Sequence, residues 1–193
     1  MRSSGFTLVE LVITIAVAGV LLAMAVPSFT RTIVSNRLAT TANGVIASLN
    51  AARLEAIRRN AVVTATSGRT SVQLCSNTTG NNGSGALQTA CGTSGGAVYT
   101  LEPDGTASKV VDAVLVPDSI SLGTMTGLRY AGSGQASSTG STGAFSGLVA
   151  DVSTSKLSTS NHRCIYLTTG SIISTCITST ACANSEPANC TTQ

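Results

Sequence analysis

Tryptophan is absent from this chain, aromatic residues make up only 3% of it and charged residues 10%. Such a composition is poor in the acids that catalysis uses and in the aromatic anchors that binding surfaces use. Histidine occurs once, at His162, and no Cys-x-x-Cys is present. Zinc would therefore need an irregular all-cysteine site, and no metal, cofactor or enzymatic activity is expected. What remains is a chain 42% hydrophobic, whose second half is filled largely by Ser, Thr, Gly and Asn. Its 193 residues suffice for one domain with its own core.

The net charge of +3 is unevenly spread. Between residues 31 and 60, Arg31, Arg37, Arg53, Arg58 and Arg59 against Glu55 give +4. From Ala61 onward five cations face six acids, so that region is near neutral and shows no polyanion footprint. Six cysteines, Cys75, Cys91, Cys164, Cys176, Cys182 and Cys190, all follow the apolar amino terminus. An even set in that position is expected of a domain oxidised outside the cytoplasm. Six cysteines allow fifteen pairings. Sequence order favours Cys75 with Cys91 but does not decide the pairing; the remaining pairs are expected to be Cys164 with Cys176 and Cys182 with Cys190.

From Phe6 to Thr30 the only charge is Glu10, and these 25 residues can cross a bilayer core of about 30 Å as a helix. An ordinary secretory signal is the competing reading, with Arg2 in its basic region and Ala23-Met24-Ala25 as its cleavage site. Two observations oppose it. Glu10 interrupts what should be a purely apolar stretch, where an acid costs about 2.5 to 3.5 kcal/mol at the centre. The apolar run also continues into a helical pattern: Leu38, Ala42, Val45, Leu49, Ala52 and Ala56 are spaced by four and three, keeping one face apolar. Pro27, near the end of the apolar run, predicts a kink or an unwound turn around residues 24–28.

Gly5-Phe6-Thr7-Leu8-Val9-Glu10 resembles the processing site of type IV prepilins. The resemblance implies that a prepilin peptidase cuts between Gly5 and Phe6, methylates the new Phe6 amine and leaves the apolar helix in place as an assembly domain. Glu10 then acquires a role. A carboxylate in hydrocarbon is tolerable when paired, and the Phe6 ammonium of a neighbouring subunit is a suitable partner. The plainer account is an acid favoured by the helix macrodipole and snorkelling to the interface.

Ala51-Ala52-Arg53-Leu54-Glu55-Ala56-Ile57-Arg58-Arg59-Asn60 is similar to the helix end of GspH/FimT-like minor pilins and pseudopilins. The likeness continues through Val72 to Cys75, Leu128 to Gly134 and Arg163 to Gly170. Some members of that family are associated with DNA uptake through a Gly-Arg-x-Arg turn. Here the turn reads Gly170-Ser171-Ile172-Ile173, leaving only His162 and Arg163 nearby, so DNA is an alternative partner and not the favoured one.

After Asn60 the periodicity predicts strands over 61–66, 70–75, 97–102, 110–116, 126–131, 143–152, 163–168 and 171–177. Pro103-Asp104-Gly105 marks a hairpin turn. Segments 77–96 and 132–142 read as exposed loops. Gly92-Thr93-Ser94-Gly95-Gly96 fits the Gly-x-Ser-x-Gly of serine hydrolases, but a predicted strand follows where that motif needs a helix.

The expected architecture is α+β with a pilin-like fold: a leader at 1–5, a transmembrane assembly helix at 6–30, its amphipathic continuation at 31–60, and a disulfide-bonded β-rich head at 61–193. The resemblance implies a structural minor pilin of a type IV pilus, or alternatively a type II secretion pseudopilin or a DNA-binding minor pilin. It implies other pilins, the inner membrane and prepilin peptidase as partners, and a location first in the bacterial inner membrane, then in the pilus, periplasm or cell surface.

Overall fold

The computed structural model describes residues 6–63, 69–188 and 190, apart from the side chain of Pro27. Helix α1 runs Leu8–Arg59, 52 residues or about 78 Å. Its backbone is helical without interruption through Pro27. The two halves live in different surroundings. From Phe6 to Thr32 every described side chain is exposed, whereas Leu38, Ala42, Val45, Leu49, Ala52 and Ala56 are all buried. These are the six positions that the four-and-three spacing selects. Thr41 and Ser48 are buried beside them, and each hydroxyl donates to the carbonyl four residues back, so no polar group is stranded.

Asn60 ends α1 in the left-handed conformation (φ 47°), which Asn tolerates better than most residues. Ala61 N–H then donates to Ala56 O at 2.9 Å, closing the last turn. The turn over residues 131–134 packs directly on this cap. Gly132 N–H donates to Ala61 O at 2.7 Å, and a Cβ on Gly132 would lie 2.9 Å from Asn60 Cα. Only glycine lets the two backbones approach so closely.

The head comprises β1 Ser71–Leu74, α2 Ala86–Cys91, β2 Val98–Leu101, β3 Ala107–Val111, β4 Ser121–Leu122, β5 Leu128–Tyr130, β6 Ala136–Ser138, β7 Gly147–Ser153, β8 His162–Thr168 and β9 Ile172–Thr178. A 3-10 turn, Thr79–Asn81, precedes α2. The strands form two antiparallel sheets, in the orders β3-β2-β1-β5-β6 and β4-β7-β8-β9. Side chains from α1 and both sheets share one core, in which Leu49 and Ala52 join Val72, Leu128, Val149 and Ile165. This is the α+β, pilin-like arrangement that the sequence predicts.

The expected hairpin is present. β2 pairs with β3, and Gly105, at φ +86°, donates to Glu102 O at 3.0 Å. Other expectations need correction. The strand expected over 110–116 spans Ala107–Val111, because the chain turns away to carry Val114 against Gly96 and Gly44. Residues 61–63 are not in a strand, and residues 64–66 lie outside the described set. Two segments read as loops hold regular structure: β6, and α2, whose Leu87 and Cys91 are buried.

Cys75 is bonded to Cys91, but the other expected pairs are wrong: Cys164 joins Cys182 and Cys176 joins Cys190. Cys164 and Cys176 do face each other across β8 and β9, where the ladder already holds their backbones together. The tail folds back over this sheet. Leu148 N–H donates to Asn184 O at 2.9 Å and the Tyr166 hydroxyl to Ala183 O at 3.0 Å. That return brings one tail cysteine beside each strand cysteine.

Candidate functional site

The chemistry at the start of α1 follows from its first turn. Thr7 is the N-cap, extended at φ −81° and ψ 150°, and its Oγ1 accepts from Glu10 N–H at 3.3 Å. Phe6 precedes the cap and is 77% exposed. Gly5, the other half of the expected processing site, lies outside the described residues. Glu10 is exposed, and among the described residues its carboxylate has no hydrogen bond or ion pair. Around it stand Leu8, Val9, Leu11, Val12 and Ile13, every one at least half exposed. An acid set in a bare apolar helix, with nothing in its own described chain to neutralise it, suits contact with another molecule and not the stability of this head.

Residues 1–26 match the prokaryotic N-terminal methylation motif. That motif is typical of type IV pilins and pseudopilins, and it implies processing by a prepilin peptidase and assembly with other pilins. With the apolar helix it is consistent with anchoring in the inner membrane. No curated protein and no solved structure matches the chain.

At the other end of α1 the charges are satisfied. Arg58 forks onto Glu55, with Nε to Oε2 at 2.8 Å and Nη2 to Oε1 at 2.6 Å. Arg59 bonds Glu55 through Nε and, through Nη1, Glu102 at the end of β2. Thr100 Oγ1 donates to the same Glu102 oxygen at 3.0 Å. This network ties the last turn of the helix to the first sheet. The Arg58 fork, with Arg59 behind it, holds the Glu55 carboxyl down at about 2 from 4.5, against the opposing effect of burial. The signature Ala51–Asn60 thus has a physical content: small residues facing the core, and an acid–base latch at its rim.

His162 and Arg163, the residues considered for DNA, alternate across β8. His162 Nδ1 lies 2.8 Å from Asp151 Oδ1. Arg163 is buried, with Nη1 donating to Ser160 O at 2.9 Å and to His162 O at 3.3 Å, while burial lowers its pKa. The pair therefore forms no open cationic surface. Asp151, His162 and Cys182 lie close enough to suggest a metal site, but the Cys182 sulfur is committed to its disulfide and Asp151 Oδ2 accepts from Cys182 N–H at 3.2 Å. Arg53, which sequence reasoning did not single out, donates to Ser171 O at 3.2 Å and so fixes the Gly170-Ser171 turn against α1.

Proposed function

We propose that this chain is a structural minor pilin of the GspH/FimT-like type, built into a type IV pilus and not a catalyst. The observation that carries the reading is the division of α1: an exposed apolar half bearing one acid that is unpaired among the described residues, joined without a break to a half sealed into the head. The sequence of events begins with insertion in the inner membrane, head outward. Cleavage after Gly5 and methylation leave the Phe6 nitrogen a cation. On docking, that cation and the Glu10 carboxylate of an adjoining subunit neutralise each other in a dry helix bundle, where an unpaired partner would be costly. Register follows, because the contact forms only when the two helices are staggered by the distance that brings Phe6 to Glu10. We place the protein in a pilus and not in a secretion pseudopilus on the strength of its doubly stapled tail.

Glu10→Gln tests this reading. The substitution should abolish recovery of the protein in sheared pili, while amino-terminal sequencing still begins at methylated Phe6 and the head melts at an unchanged temperature. Normal incorporation would refute the assembly chemistry, and a mature terminus at Val26 would return the segment to an ordinary signal peptide.

A further inference from the structure

Arg31 is the first charge after Glu10, and it does not stand alone. The loop between β7 and β8 folds back so that Ser155, Lys156, Leu157, Ser158 and Thr159 line a cleft of about 320 Å³ together with Arg31. The base of this loop is rigidly built. Thr154 is buried, its N–H donates to Asn161 O at 3.0 Å and its hydroxyl to Ser119 O at 2.6 Å; Ser160 N–H donates to Ser179 Oγ at 2.9 Å. The tip is left to solvent. Neither Arg31 nor Lys156 has an ion pair or a side-chain hydrogen bond among the described residues. Among the described residues no acid lines the cleft: Asp151 is held by His162, and Asp118, next to the Ser119 carbonyl that Thr154 bonds, is not part of the lining.

Position gives this cationic cleft its meaning. Phe6 to Arg31 covers about 38 Å of helix, slightly more than a hydrocarbon core, so an apolar half that spans the bilayer sets Arg31 among the outward-facing headgroups. We infer that the cleft binds the headgroup phosphate of an anionic phospholipid in the outer leaflet of the inner membrane. This rests on the membrane-inserted reading above. A guanidinium and an ammonium lining one cleft with three hydroxyls can give charge-assisted bonds to a phosphodiester. The ammonium of a zwitterionic headgroup finds no acid to meet it. Binding there would fix the tilt of the head over the membrane before the subunit is drawn into a filament.

The test uses the processed full-length protein in phosphatidylcholine nanodiscs with increasing phosphatidylglycerol, following amide hydrogen exchange over residues 155–159. Protection should rise with phosphatidylglycerol, and Arg31→Gln and Lys156→Gln should each raise the half-saturating fraction about fivefold. Lys109→Gln, which removes a remote cation, should not. Equal protection in pure phosphatidylcholine, an equal loss in Lys109→Gln, or full protection by inorganic phosphate without anionic lipid would each overturn the inference. A protein that incorporates but shows no lipid response defeats this inference alone, whereas one that does not enter the nanodiscs at all defeats the membrane reading with it.

Discussion

Replacing Glu55 with Gln should destabilise the head in a way that depends on pH. Glu55 is the hub of the latch at the end of α1, with a side chain 10% exposed and contacts to Arg58 and Arg59. Its carboxyl is held at about 2 against 4.5. Taken whole, that displacement is worth about 3 kcal/mol. Arg58 lies open to water, so screening reduces the figure to about 1–2 kcal/mol. The sign follows from the depressed pKa: the stabilisation is complete above 4.5, where the unfolded carboxyl is also ionised, and is lost as pH falls from there through about 2. Urea unfolding followed by circular dichroism, on a fragment from Val34 that keeps the whole buried face of α1, measures the gap between wild type and Glu55→Gln. It should be about 1–2 kcal/mol at neutral pH and close steadily below 4.5. A gap that is absent at neutral pH, or that persists undiminished near pH 2, would refute the latch.

Two other consequences of the structure are open to measurement. Gly132→Ala should lower stability by about 1–3 kcal/mol, since the added Cβ meets the Asn60 backbone and neither chain can yield without opening the helix cap; a melting temperature equal to wild type would show that the turn does not pack there. Non-reducing peptide mapping should recover Cys164 with Cys182 and Cys176 with Cys190. Removing the second of these pairs should raise protease sensitivity of the tail beyond Thr178 while leaving the strands protected, and digestion at the wild-type rate would mean that the staple does not hold the tail.

Local pattern carried the fold where one segment supplied its own evidence. The α1 face from Leu38 to Ala56 is a matter of helical spacing alone, and Pro103-Asp104-Gly105 closes a hairpin within a few residues. Failures came where the outcome depended on a distant partner. α2 sits in a Gly- and Asn-rich stretch with little helical signal. It is held by the Cys75–Cys91 bond and by Asn82, whose buried amide accepts from Ser76 N–H at 2.7 Å and donates to Gly92 O at 3.0 Å. The tail disulfides depend on a path back over β7 and β8 that no spacing of cysteines encodes. Arg163 stayed open as a DNA contact in the sequence because β8 alone does not reveal that its guanidinium bonds the Ser160 carbonyl.

The candidate site obeys the same logic with the direction reversed. α1 carries two acids. Glu55 has arginines three and four residues onward, where a helix places them side by side, and both bond it within the chain. Glu10 has Ile13 and Thr14 at those positions, and Thr14 spends its hydroxyl on Leu11 O at 2.8 Å. One helix thus contains a carboxylate that its own sequence neutralises and another that has no partner among the described residues, at the end where the apolar surface is also bare. An exposed acid in an exposed apolar surface fits the proposed assembly role. On the proposed reading the cation that answers Glu10 comes from a neighbour, and the one that processing would create is the amine of Phe6.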